Sequence, residues 1–215
     1  MNKTSTRLVN RYPDLLPCAQ DIECAFGLLK ATFRAGGKLL VCGNGGSAAD
    51  SEHIVGELMK GFNSKRVLPD AFRRRLIKAF PGQGEYLAAN LQGALPALSL
   101  VSQTSLLSAF ANDVAPDMAL AQQVYGYGAP GDALIAISTS GTSKNVLNAL
   151  RVARVARLKT IGLTGGRGGG MAPLCDALIC VPGETTSDIQ ERHQAVYHAL
   201  CAMLEEEFFR PPGQQ

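Results

Sequence analysis

The sequence contains no tryptophan, only three histidines and few charged residues. These shortages limit the classes of protein to which the chain can belong. Charged residues make up 18% of the chain against 46% hydrophobic residues, which excludes a disordered protein. The net charge of +3 is too small to make nucleic acid an expected partner. No run of 18 uncharged apolar residues occurs, so no membrane span is expected, and residues 1–16 lack the apolar core of a signal peptide.

The six cysteines form no CxxC pair and show no spacing typical of a metal site. Several lie inside apolar segments, which predicts buried, unpaired thiols and a reducing, cytoplasmic environment. These residues are Cys18, Cys24, Cys42, Cys175, Cys180 and Cys201.

Short apolar segments alternate with longer segments of helical periodicity. The 215 residues suit a single domain, 1–215. Because the apolar segments show no polar alternation and are separated by helices, they predict a parallel sheet in an α/β fold. The predicted strands cover 38–43, 94–101, 132–138, 159–165 and 176–182, and the predicted helices cover 14–36, 46–62, 104–113, 117–128, 143–157 and 187–209.

Residues 61–93 interrupt this alternation. The segment is polar and basic and contains Pro69 and Pro81, which predicts a surface insertion with one or two short helices. Its arginine run, residues 73–75, has two interpretations. It is either a solvated helix face, or positive charge directed at an anionic substrate, a partner or a neighbouring subunit.

Two loops at strand ends predict an anion site. Gly43-Asn44-Gly45-Gly46-Ser47 follows the first strand and opens a helix, whose free N–H groups and dipole favour an anion. The loop ISTSGTS, residues 137–143, follows the third strand and is rich in hydroxyls. Because it lacks the lysine of a nucleotide P-loop, a phosphate monoester fits better than a triphosphate. Either loop alone would also suit a ligand-free turn or a helix cap.

A histidine and a glutamate, His53 and Glu57, lie one turn apart on the helix after the glycine-rich turn. The other two histidines, His193 and His198, follow Gln190 on the last predicted helix. A His/Glu pair at this spacing suits either a divalent metal or general acid–base catalysis. A lone histidine on a helix is also often a packing residue.

The string GNGGSAADSEH with its later Glu, the loop STSGTS and the closing helix with Gln and His together resemble the sugar isomerase (SIS) domain family. Within that family they resemble the phosphoheptose isomerases, over nearly the whole chain. The resemblance implies a five-stranded parallel sheet flanked by helices and a homotetramer with active sites between subunits. It also implies an intramolecular oxidoreduction that converts sedoheptulose 7-phosphate to D-glycero-D-manno-heptose 7-phosphate through an enediol.

The family's functional residues match this sequence motif by motif. The resemblance implies Glu57 as the catalytic base and His198 as its acid–base partner. In members that bind zinc, the implied ligands are His53, Glu57, Gln190 and His198. The implied sugar-phosphate contacts are Asn44, Gly45, Gly46, Ser47, Glu57, Asn112, Asp113, Ser138, Thr139, Ser140, Ser143 and Gln190.

Three departures from the usual family pattern bear on the substrate. Thr142 replaces an asparagine, the insertion at 61–93 is longer, and an arginine that usually follows the catalytic glutamate is missing. Lys60, Lys65 and Arg66 are candidates to replace that arginine. An isomerase for another sugar phosphate, such as a hexose or amino-sugar phosphate, therefore stays open. So does a non-catalytic module that binds a sugar phosphate or a protein, although the catalytic pair favours an enzyme.

Gln190 and His198 pose a geometric problem as joint zinc ligands. On one helix, eight residues give about 12 Å of rise, whereas zinc bonds are about 2.0–2.2 Å long. Either the last helix begins after Gln190, or the two ligands come from different subunits, and we expect the second. Helices 14–36 and 187–209 are expected in the tetramer contacts, the latter through Val196, Leu200, Met203 and Leu204.

Overall fold

The computed structural model describes residues 1–209 and confirms the predicted α/β fold with a five-stranded parallel sheet. The strand order is β2-β1-β3-β4-β5. Along the chain, β2 pairs with one edge of β1 and β3 then pairs with the other edge, so the strand order reverses between β1 and β3. In such sheets, ligands bind at the carboxyl ends of the strands on either side of this reversal. The strands are β1 Leu39–Cys42, β2 Ala97–Ser99, β3 Ala133–Ser138, β4 Lys159–Gly165 and β5 Ala177–Val181.

Helices cover both faces of the sheet because its strands are apolar on both faces. Leu39 and Val41 of β1 belong to one core cluster, whereas Leu40 and Cys42 belong to the cluster on the opposite face. The helices are α1 Lys3–Arg11, α2 Ala19–Arg34, α3 Gly46–Met59, α4 Asp70–Ala79, α5 Gln83–Asn90, α6 Thr104–Asp113, α7 Ala119–Tyr127, α8 Lys144–Val155 and α9 Thr186–Phe209.

The N-terminal region differs from the prediction. The helix expected at 14–36 starts as a 3₁₀ segment, Pro13–Cys18, and becomes α-helical only in α2, because Pro17 lacks an N–H and disfavours an α-helix here. The sequence reading also missed α1, which is mostly polar. An N-cap starts that helix, since the Thr4 amide donates to Asn2 Oδ1 at 2.8 Å.

The last helix also corrects the prediction. Because α9 begins at Thr186, the alternative that places Gln190 on a loop is wrong. The apolar residues expected in tetramer contacts are instead packed inside the single chain: Val196, Leu200, Met203 and Leu204 are at most 3% exposed. The apolar residues Ile22, Leu29 and Phe33 of α2 are likewise buried in the core.

The insertion at 61–93 contains two short helices, α4 and α5, as predicted. No residue of α4 is buried, so its arginine run lies on an exposed face. The insertion also carries the exposed apolar side chains Val67, Phe72, Phe80, Tyr86, Leu87 and Leu91.

All six cysteines are free, as predicted, but only Cys18, Cys42 and Cys201 are buried. Cys175 and Cys180 are partly buried, and the expectation of burial is wrong for Cys24, which is exposed on α2. Within residues 1–209, every helix is too short or too polar to cross a membrane.

Candidate active site

The glycine-rich turn and the hydroxyl loop meet at the neighbouring carboxyl ends of β1 and β3. Together they line a cavity of about 290 Å³, which we call the cradle. Gly45 adopts φ +55°, a conformation that favours glycine, and it directs the chain into α3. The cradle is lined by Asn44, Gly45, Gly46, Ser47, Ile137, Ser138, Thr139, Ser143, Thr186 and Gln190.

The hydroxyl loop is held by its own hydrogen bonds. The Ser138 hydroxyl, which is buried, donates to Ser143 Oγ at 3.1 Å. The exposed Ser140 accepts from the Thr142 amide at 3.3 Å and from the Thr142 hydroxyl at 3.0 Å. Thr142 holds Ser140 in place through these two hydrogen bonds. The loop is therefore ordered although Thr142 stands where the family usually has an asparagine.

Two features of the cradle were not identified from the sequence. Asn44 and Asn145 exchange side-chain amide hydrogen bonds at 2.9 and 2.8 Å, which joins the glycine-rich turn to the first turn of α8. The second feature is a close contact from α9. A methyl group at Gly46 would lie 2.5 Å from Gln190 Nε2, so this glycine makes room for the glutamine at the cradle wall.

A second group of predicted residues, His53, Glu57 and His198, lies toward the other end of α3. His53 Nε2 lies 3.2 Å from Glu57 Oε1, and the His53 and His198 rings are 5.0 Å apart between centroids. We call these three residues the acid–base cluster. Lys60 Nζ contacts the other oxygen of Glu57 at 3.3 Å, so each carboxylate oxygen faces one nitrogen group.

The environment of His198 suits proton transfer. Its Nε2 is buried without a hydrogen-bond partner among the described residues. Burial, together with the neighbouring His53, lowers the pKa of His198 below its ordinary value. The Phe62 ring lies 5.5 Å away between centroids and covers one side of the imidazole. A neutral imidazole with a free nitrogen is able to accept a proton at neutral pH.

The predicted zinc ligands are not all brought together in one chain. Gln190 lines the cradle, about 12 Å along α9 from His198. Within residues 1–209, no group of three or more His, Cys, Asp or Glu side chains is spaced to hold a metal ion. The donors of the acid–base cluster are nevertheless of the kinds that zinc prefers, and the buried, unpaired His198 Nε2 is suited to a ligand. The chemistry of the set fits zinc, but the single chain leaves the set incomplete.

The cradle and the acid–base cluster are separated along α3 within one chain. Gly46 and Glu57 lie at opposite ends of α3, and eleven residues of helix span about 16 Å. An extended seven-carbon sugar with a terminal phosphate spans about 10 Å, from bond lengths near 1.5 Å. His198 also lines a different cavity, of about 440 Å³, between α1 and α9.

Asn112 and Asp113 lie apart from both groups. They form the exposed end of α6, where the Asn112 amide donates to Asp113 Oδ1 at 2.8 Å. Neither is among the residues that line the cradle. Their expected contact with substrate stays a prediction.

The structure also separates the candidates for the missing arginine. Arg66 is 1% exposed and is paired with Glu205, so it is not available to a substrate. Lys60 is exposed and contacts Glu57 at 3.3 Å, which makes it a candidate to replace the arginine beside the acid–base cluster.

Comparisons with known proteins agree with this architecture. The model of the SIS domain family matches residues 15–73 and 85–165. The chain is similar to the phosphoheptose isomerase of Rhodospirillum rubrum, with 42% identity over 88% of this chain and 87% of that protein. Among solved structures it is similar to phosphoheptose isomerases from Neisseria gonorrhoeae (TM-score 0.72, 32% identity, covering 94% and 93% of the two chains) and Francisella tularensis (TM-score 0.73, 28% identity, covering 95% and 94%).

Proposed function

Because the chain belongs to the SIS domain family and to its phosphoheptose isomerases, we propose that it converts sedoheptulose 7-phosphate to D-glycero-D-manno-heptose 7-phosphate through an enediol. The observation that carries this proposal is the acid–base cluster, in which Glu57 and His198 both adjoin His53. Aldose–ketose isomerisation needs a base at carbon and an acid–base group at oxygen, and the cluster supplies both.

In this mechanism, Glu57 removes a proton from C1 of the ketose, which leaves negative charge on the C2 oxygen. His198 accepts the proton of the C1 hydroxyl and passes it to the C2 oxygen, and Glu57 returns its proton to C2, which leaves the aldehyde. The hydroxyls and amides of the cradle hold the phosphate and orient the sugar chain. Lys60 lies where it can stabilise negative charge developing on the oxygens.

The test is incubation of the purified chain with sedoheptulose 7-phosphate and chromatographic detection of the aldose. Glu57→Gln keeps the shape but not the base, so turnover is expected to fall by about 100- to 10,000-fold with binding preserved. A variant that keeps a third of wild-type turnover would remove Glu57 from the mechanism. Conversion of a hexose or amino-sugar phosphate in preference to the heptose would assign the chain another substrate.

We also propose that each active site is shared between two subunits of a homotetramer. The distance between the cradle and the acid–base cluster supports this arrangement, because the cradle of one subunit would face the cluster of another. Gln190 would then approach His53, Glu57 and His198 across the interface and complete a four-residue zinc site. Bound zinc would polarise the substrate carbonyl as a Lewis acid.

Metal content and activity after chelation test the zinc proposal. The expected result is zinc bound by the wild-type chain and lost from His53→Ala. An enzyme that works fully after chelation would make zinc incidental.

The six free cysteines support a cytoplasmic location, because an oxidising compartment favours disulfides.

A further inference from the structure

None of the described residues that line the cradle carries a charge, although the cradle is proposed to hold a phosphate. Recognition of the anion then depends on neutral donors, which are hydroxyls, backbone amides and side-chain amides. A side-chain amide helps only when its nitrogen faces the anion, because its oxygen is an acceptor and repels negative charge. The orientation of the Asn44 amide at the cradle wall therefore matters for binding.

A neighbouring amide on α8, that of Asn145, has a fixed orientation. Asn145 lies in the first turn of α8, where the backbone N–H groups lack a partner within the helix. The Val146 N–H donates instead to Asn145 Oδ1 at 3.0 Å. Because a backbone N–H only donates, the atom of Asn145 that accepts from Val146 is the amide oxygen.

The orientation of Asn44 follows from that of Asn145. The same oxygen of Asn145 accepts from Asn44 Nδ2 at 2.9 Å, and Asn145 Nδ2 donates back to Asn44 Oδ1 at 2.8 Å. A flipped Asn44 amide would place oxygen against oxygen and nitrogen against nitrogen, and both hydrogen bonds would be lost. Asn145 therefore occupies the Asn44 oxygen, whereas the Asn44 nitrogen keeps a second hydrogen for a ligand.

We propose that Asn145 is a positioning residue, which holds the Asn44 amide so that its second hydrogen is available to a phosphate oxygen in the cradle. Asn44 contacts the phosphate, and Asn145 acts only through Asn44. The choice of phosphate as the ligand rests on the proposed function, whereas the orientation of the Asn44 amide does not.

The first test is the binding of inorganic phosphate to the full-length chain, measured by isothermal titration calorimetry. Asn44→Ala removes the donor and should weaken binding about 10- to 100-fold, the effect of losing a hydrogen bond to a charged group. Asn145→Ala leaves the Asn44 amide free to flip and should weaken binding about 2- to 10-fold. The matched control is Asn148→Ala, one turn further along α8, whose amide contacts Asp117 and whose loss should leave the phosphate affinity unchanged.

A double variant tests whether Asn145 acts through Asn44. In the Asn44→Ala background, adding Asn145→Ala should cause no further loss of phosphate affinity, because there is no amide left to orient. Independent losses that add in the double variant would overturn the proposal. So would wild-type phosphate affinity in Asn145→Ala.

Kinetics with sedoheptulose 7-phosphate adds a readout that separates positioning from damage to the fold. Asn145→Ala should raise KM about 2- to 10-fold and keep kcat within about twofold of wild type, because the acid–base cluster is untouched. A lower kcat with unchanged KM would contradict the positioning role. A wild type that binds phosphate but does not isomerise the heptose phosphate would refute the proposed function, while the phosphate affinities of the variants still judge the role of Asn145.

Discussion

Ser138 and Ser140 share the hydroxyl loop but differ in environment, since Ser138 is buried and bonded to Ser143 whereas Ser140 is exposed. In the proposed site, both hydroxyls donate to the phosphate. Each lost hydrogen bond to a charged group costs about 1.5–3 kcal/mol, so Ser138→Ala with Ser140→Ala should weaken binding of the sugar phosphate but not of the free sugar. Calorimetric titration of both ligands measures this difference, and equal weakening would show that the loop does not hold the phosphate.

His193 is a different kind of residue from the other two histidines. It is fully buried on α9, beside the backbone of Thr164. Burial lowers the pKa of His193 to about 4. The ring is therefore a neutral core residue at physiological pH, although the sequence placed it beside the candidate site.

This burial predicts acid sensitivity of the fold. The unfolded chain binds a proton at His193 near pH 6.5, whereas the native chain binds it only near pH 4. Between these values the unfolded state holds more protons, so stability falls as the pH falls. The contribution of His193 to the free energy of unfolding should drop by roughly 2 kcal/mol from pH 7 to pH 5. Urea unfolding of the wild type and His193→Leu at both pH values isolates this loss, and identical pH dependence in the two proteins would contradict it.

At the scale of elements, a buried ion pair joins the end of α3 to α9. Arg66 donates from Nε to Glu205 at 2.8 Å, and its other nitrogens donate to the carbonyls of Leu58 at 2.6 Å and Glu57 at 2.8 Å. Glu205 also accepts the amides of Phe62 and Asn63. This network supplies hydrogen-bond donors to the last carbonyls of α3. It also holds in place the segment that carries Phe62, whose ring contacts His198.

Breaking this network should destabilise the protein strongly. Arg66→Met leaves Glu205 buried without its cation, which typically costs 3–5 kcal/mol. The matched control is Arg73→Met on the exposed face of α4, which should change stability by less than about 0.5 kcal/mol. Urea unfolding compares the two variants. A cost below about 1 kcal/mol for Arg66→Met would mean that water or repacking replaces the pair.

The sequence predicts elements well where local pattern decides them and poorly where long-range contacts do. The five strands and α6 follow from apolar runs and helical periodicity, and α6 matches its predicted range, Thr104–Asp113. The sequence pattern does not predict the polar helix α1, because this helix has no apolar stripe of its own and is stabilised by packing against α9. The cradle loops have local signatures in the sequence. The contact of Asn145 and the burial of Arg66 depend on partners far along the chain, so no local motif predicts them.

At the scale of the whole molecule, the separation of the cradle from the acid–base cluster is the strongest support for assembly. The apolar residues of α9 no longer support it, because they are buried within the chain. Exposed apolar side chains of the insertion, such as Phe80, Tyr86 and Leu91, offer another surface for subunit contact.

Light scattering at micromolar concentration is expected to give a homotetramer, and a monomer would make the shared site impossible.

Complementation tests directly whether two subunits share one site. Gln190→Ala and His198→Ala should each be inactive alone. After unfolding and refolding together, random mixing restores about a quarter of the sites, because Gln190 and His198 then come from different subunits. A mixture as inactive as its parents, with both variants tetrameric, would place both residues in one subunit's site.

The central position of α9 has a consequence for biosynthesis. This helix contacts α1, α2, α3, β4 and β5, yet it is the last described element to leave the ribosome. At about 5–20 residues per second, β1 has been translated on the order of ten seconds before α9 is complete. Throughout that time the faces of α1, α2 and α3 that pack against α9 lack their partner. We therefore expect this part of the core to form only after α9 has left the ribosome, and the apolar residues of these faces to be open to chaperones before then.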